Sequence, residues 1–157
     1  MTDANQQPDR DRAEQARQGD IDLSLFGDEH VRQYEETNGE IGYLWNGAPC
    51  LVLTTKGRRS GKARKFALIF GQSGDDVLLV ASKGGAPEHP GWYENLVADP
   101  DVEVQVLGDR YRGVARTADA AEKATLWPIM TELWPSYDDY QARTDRDIPL
   151  VVISRKP

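Results

Sequence analysis

Val102-Glu-Val-Gln-Val106, the turn pair Gly108-Asp109 and Tyr111-Arg-Gly-Val-Ala-Arg116 decide the fold class. The first run alternates apolar and polar residues strictly, the period of a strand with one buried face. Gly108-Asp109 has the Gly-X form of a two-residue hairpin turn, so the chain is expected to return antiparallel over 111–116. Working outward, Leu51 to Leu53, residues 65–70 and Val77 to Ala81 read as strands, and Gly71 to Asp76 as a turn. The run 65–70 does not alternate, which predicts burial on both faces. Pro90 at a first helical position opens a helix to about Ala98, which Asp99-Pro100 stops. Downstream, Thr117 is expected to cap a helix to Leu133 with a kink at Pro128. Ser136 with Asp139 resembles a capping box for a short helix. Ile148 to Ile153 is the last strand, and a helix from Glu29 to Thr37, capped by Asp28, precedes them all.

Three strands, a helix, a hairpin, helices and a final strand predict an α+β domain. Short strands joined by hairpins point to a small antiparallel barrel with flanking helices. Residues 23–157 make up this domain. Residues 1–20 contain no Val, Ile, Leu, Phe, Trp or Tyr, so 1–22 are expected to be a disordered or weakly ordered tail.

The chain has 157 residues, 39% hydrophobic and 29% charged, which is one domain's worth. No apolar run is long enough to span a bilayer. One cysteine, Cys50, excludes an internal disulfide, and two histidines, His30 and His89, offer no metal-ligand spacing. No signal peptide is legible, so the expected address is cytoplasmic. The net charge of −7 is the wrong sign for a general nucleic-acid binder. Yet residues 56–65, Lys-Gly-Arg-Arg-Ser-Gly-Lys-Ala-Arg-Lys, hold six basic side chains and no acidic one. That loop reads either as a solvated turn or as a grip for the anionic part of a small ligand. It is not a nucleotide P-loop, because the glycine spacing is one short and Ala63 stands where Ser or Thr would hold magnesium.

Two further constellations carry potential chemistry. Ser82-Lys-Gly-Gly85 with His89-Pro-Gly-Trp-Tyr93 brings a strand end, a glycine pair and a helix N-terminus together. It reads either as a turn that needs its glycines or as a place where a flat ligand meets backbone amides. Trp134-Pro-Ser-Tyr137-Asp-Asp-Tyr140 puts two phenols on one helix face, where they either cover the core or donate to an oxyanion.

The stretches Leu53 to Gly61, Ala81 to Asn95 and Tyr140 to Pro149 resemble the deazaflavin (F420)-dependent nitroreductase and quinone reductase family, in order and spacing, from about Glu29 to Ile153. The resemblance implies a split barrel of the flavin-binding type. It also implies coenzyme F420 as hydride donor to quinones and, in some members, nitro compounds. By the family pattern the coenzyme's acidic tail lies at Arg58, Arg59, Ser60 and Arg64. Lys65 and the strand Phe66, Ala67, Leu68 and Ile69 follow. The ring lies against Val80, Ala81, Ser82 and Lys83 and the helix start with Gly91, Trp92, Tyr93 and Asn95. Ser82 and Tyr137 are the expected catalytic residues, with Trp134, Tyr137 and Tyr140 toward the substrate. Nitroimidazole-reducing members carry tyrosine where this chain has Trp134, which weighs toward quinones as acceptors. Barrels of this type commonly pair, which leaves a homodimer open. Two other readings stay open on the residues alone: an FMN enzyme of the same barrel type using NAD(P)H, and a binding module without chemistry.

Overall fold

The computed structural model describes residues 7–157. Its elements are α1 (Arg10–Arg17), α2 (Gly27–Thr37), β1 (Leu44–Trp45), β2 (Ala48–Lys56), β3 (Ala63–Ile69), β4 (Gly71–Ser73) and β5 (Asp76–Val80). There follow α3 (Gly91–Ala98), β6 (Asp101–Val106), β7 (Asp109–Thr117), α4 (Ala120–Leu133), α5 (Ser136–Ala142) and β8 (Leu150–Arg155). The strands form one sheet in the order β1-β2-β6-β7-β8-β5-β4, with β3 also on β2, and all pairs are antiparallel.

Strand β3, an edge on β2, and β4, at the far end of the order, are separated only by Phe70, whose N–H donates to Pro49 O at 3.0 Å. The edges are therefore successive pieces of one chain stretch, and the sheet curls into the split barrel that the hairpin pattern implied. Leu51, Leu53, Leu79, Val151 and Ile153 fill one face with Trp92 and Leu96 of α3. Leu78, Val80, Leu150 and Val152 point the other way, against α4 and α5. Each leucine fully buried in this way stabilises by roughly 1.5–3 kcal/mol, against about 0–1 kcal/mol for an exposed ion pair. The core thus rests on strands buried on both faces, and the ion pairs on the surface decide little. On the third side Tyr34 pins α2 to the barrel. Its hydroxyl donates to Cys50 O at 2.9 Å and accepts from Leu107 N at 2.8 Å.

Several sequence expectations are corrected. The doubly buried strands are β2, β5 and β8, whereas β3 runs from exposed to half-buried. Its apolar run faces a cavity instead of a packed layer. The hairpin turn centres on Leu107-Gly108, one residue earlier than Gly108-Asp109, with Leu107 at φ +55°. Asp119, not Thr117, caps α4 by accepting from Glu122 N at 2.8 Å. Pro90 is the residue before the first turn of α3, and Ser136 starts α5 without a side-chain cap bond.

The described part of the N-terminal segment carries a helix. Asp9 caps α1, whose Ala13 and Ala16 are buried, and Arg17 forks onto Asp139 of α5. The segment lacks bulky apolar residues, but two alanines let its backbone approach the helical layer closely. Residues 1–6 of that expected tail lie outside the described residues.

Candidate active site

A cavity of about 440 Å³ opens where the barrel is split. Lys65 to Ile69 of β3 and Leu79 and Val80 of β5 line it, facing Trp134, Tyr137 and Tyr140. Ser82, Lys83 and Gly84 after β5, and Pro90 and Trp92 at the start of α3, complete its polar end. Its size and mostly apolar lining, with a few convergent polar groups, suit a small flat ligand, such sites running roughly 300–1,000 Å³.

Two hydroxyls stand out. Tyr137 is 5% exposed and Ser82 8%, and neither hydroxyl has a hydrogen-bond partner among the described residues. Among the described residues no fully buried side-chain polar atom lacks a partner, and Ser82 and Tyr137 both line the cavity, so their hydroxyls open to it. Burial pushes the Tyr137 phenol far above its ordinary range, which keeps it a proton-bearing donor. The Trp134 indole N–H donates to the Tyr140 hydroxyl at 3.3 Å, and its ring packs 5.6 Å from that of Trp45. Trp134 is thus a wall with its one donor largely used.

The basic loop divides into fixed and free charges. The Arg58 guanidinium donates to Asn95 Oδ1 at 2.8 Å and to Gly91 O at 3.3 Å, and it pairs with Glu94 at 3.2 Å. Asn95 also donates to Thr55 Oγ1 at 3.0 Å, so its amide is a strut joining β2, the loop and α3. Lys65 pairs with Glu35 at 2.7 Å. Among the described residues Arg59, Lys62 and Arg64 have no ion-pair partner, and Ser60 only closes the turn, accepting from Lys62 N at 3.1 Å. Arg64 lines a groove between α2 and β3 that shares Lys65 and Phe66 with the cavity. Free positive charge therefore adjoins an apolar slot.

Other expected site residues lie off the cavity wall. Ala81 is fully buried in the core, and the Tyr93 hydroxyl bonds Thr117 Oγ1 at 2.8 Å. Gly91 is exposed beside Arg58.

The residues matched by a family model complete the picture: 27–155 fit the model described as F420H(2)-dependent quinone reductase. The chain belongs to this family. The F420H(2)-dependent quinone reductase Rv1261c of Mycobacterium tuberculosis (strain ATCC 25618 / H37Rv) is 43% identical over 131 residues, covering 81% of this chain and 88% of the relative. A solved structure of an F420-H2 dependent reductase, FDR-A, is 37% identical with a TM-score of 0.64, covering 68% of this chain and 94% of that one. A second solved structure, described as a domain-swapped dimer, is 34% identical with a TM-score of 0.66, covering 80% of this chain and 95% of that one.

Within this F420H(2)-dependent quinone reductase family member, several cavity residues escape sequence reasoning. Phe26, His30, Trp45 and Cys50 line the cavity from α2, its approach and the first hairpin. The His30 ring N–H donates to Gly42 O at 2.7 Å, and burial pulls its pKa down, which favours the neutral imidazole. The glycine at 42 was the legible signal, since a Cβ there would sit 2.9 Å from the imidazole. Arg146 was hidden between Asp145 and Asp147, where it reads as a solvated charge. Among the described residues no helix is long and apolar enough to cross a membrane.

Proposed function

We propose that the protein is an F420-dependent reductase that passes a hydride from the reduced deazaflavin to quinones. The observation that carries this is the pair of unpartnered hydroxyls, Ser82 and Tyr137, inside an apolar cavity that adjoins the free guanidinium of Arg64. The residues fit the coenzyme's chemistry. Phe66 to Ile69, Leu79 and Val80 offer apolar walls to a flat ring, and Ser82 and Tyr137 meet its few polar atoms. Arg59, Lys62 and Arg64 meet an acidic tail, bidentately where the arginines do so. When bound, the reduced coenzyme supplies the hydride.

The chain's own residues contribute position and electrostatics. The β3 and Trp134 walls exclude water, which strengthens every polar contact inside. Tyr137, kept protonated by burial, donates to the oxygen on which negative charge develops, and Ser82 can donate or accept beside it. Holding two reactants in one slot supplies the proximity. A homodimer belongs to the same proposal, supported by the relative described as a domain-swapped dimer.

The test is titration of the protein with F420, followed by ring fluorescence, then quinone-dependent oxidation of the reduced coenzyme. Saturable binding with turnover is expected. No saturable change at low salt would end the proposal, and binding without turnover across a quinone panel would leave a binding module.

A further inference from the structure

Arg146 lies in the loop between α5 and β8, and its guanidinium addresses a single segment of chain. Nε donates to Ala86 O at 2.8 Å, and Nη2 to Ser82 O at 2.7 Å. Nη1 lies 3.2 Å from Ala81 O and 3.0 Å from His89 Nδ1, donating to both. None of these partners is a carboxylate. A cation drawn partly out of water is tolerated only where its donors are satisfied, and here carbonyl oxygens satisfy them.

The segment so held is strained. Lys83, Gly84 and Gly85 follow one another at φ +47°, +64° and +84°. A left-handed lysine carries a steric cost that glycine does not, and such conformations persist only where the surroundings over-determine them. Ala81 and Ser82 precede this run and Ala86 follows it, so one planar fork ties its two ends. From below, Gly85 rests on α5 beside Tyr140, and Arg143 donates to Gly84 O at 3.4 Å. The loop that carries Ser82 is therefore registered against the helix that carries Tyr137.

We propose that Arg146 is a positioning residue for the reaction: it holds the left-handed run 83–85 in the shape that presents the Ser82 hydroxyl to the cavity already faced by Tyr137. The inference deepens the reading given under Proposed function and rests on it for the identity of the ligand. Lysine cannot replace the fork, because an ammonium is a point charge that cannot span carbonyls on both sides of the loop.

The experiment compares the wild-type protein with Arg146→Lys and Arg146→Ala, using F420 titration, steady-state turnover and thermal melting. Both variants are expected to bind F420 about tenfold more weakly and to lose about 100-fold in kcat at saturating coenzyme, the scale of a displacement near 1 Å. Free guanidinium ion at millimolar concentration is expected to restore kcat to Arg146→Ala but not to Arg146→Lys, whose side chain fills the gap. Restored turnover separates positioning from a merely structural tie, which would move only the melting temperature. Normal affinity and kcat in either folded variant, or loss in Arg146→Ala that guanidinium leaves untouched, overturns the inference.

Hydrogen exchange on the wild-type protein decides the matter if neither variant folds or if the wild type does not bind F420, the latter result overturning the proposed function alone. The amides of Gly85 and Ala86, bonded to Ser82 O and Lys83 O, are expected to exchange as slowly as those of β5. Exchange as fast as at the open turn Gly74-Asp75 would show that nothing clamps the loop.

Discussion

Gly85 lies so close to Tyr140 that a Cβ added to it would meet the Tyr140 carbonyl oxygen at 2.6 Å. A strand-end loop and a helix thereby share a contact that only glycine allows, and that contact sets one corner of the cavity. Gly85→Ala is expected to destabilise the fold by about 3 kcal/mol, combining a left-handed backbone with a backbone clash. Gly84→Ala, at φ +64° with open space around it, is expected to cost only about 1 kcal/mol. Thermal melting of the two variants measures the difference. Equal costs would mean that the loop stands clear of α5.

Tyr137→Phe removes a hydroxyl and leaves the walls of the cavity intact. Turnover at saturating coenzyme is expected to fall about 100-fold, as for one lost oxyanion donor, with coenzyme affinity near normal. Because burial raises the phenol's pKa, deprotonation is opposed, and kcat is expected to show no loss attributable to Tyr137 between about pH 6 and 9. A basic limb in that window that vanishes in Tyr137→Phe would contradict this account of the donor.

The basic loop separates two roles that its composition blends. Arg59→Ala with Arg64→Ala is expected to weaken F420 binding, increasingly masked as salt is raised, with the melting temperature unchanged. Arg58→Ala is expected to lower the melting temperature too, because only the backbone N–H of residue 58 then holds Asn95 Oδ1, and the guanidinium bonds to Asn95, Gly91 and Glu94 of α3 are lost. Titrations at low and high salt with melting curves check both. Equal melting behaviour in the two variants would show that Arg58 is no strut.

Ala13 tests the docking of α1. Ala13→Leu overfills a fully buried site and is expected to cost about 1–3 kcal/mol, whereas Arg17→Ala, which breaks a half-exposed pair with Asp139, costs about 1 kcal/mol or less. Denaturant unfolding measures both. No cost for Ala13→Leu would leave α1 undocked.

The barrel was legible wherever local chemistry and tertiary fate agree. The alternation of Val102 to Val106 and the Gly108 turn specify a hairpin regardless of what packs on it. The cavity walls were legible through resemblance, which carried Ser82, Trp134 and Tyr137 together. What escaped depends on distant partners. Arg58 reads as a free cation until Asn95, 37 residues on, takes its guanidinium. Arg146 reads as surface charge until the 81–89 segment folds back around it. Leu107 gives no local sign of its left-handed backbone, which the Tyr34 hydroxyl stabilises from α2. Strand β3 reads as a core strand because its apolar residues do face inward, but onto a cavity that opens at the split of the barrel.

A crystal structure of the protein with F420 bound is the most direct measurement. The account predicts the ring between β3 and Trp134, with polar ring atoms within hydrogen-bond distance of the Ser82 or Tyr137 hydroxyl and the acidic tail along Arg64 toward Arg59. A ring seated elsewhere on the barrel, with both hydroxyls left unpartnered, would contradict it.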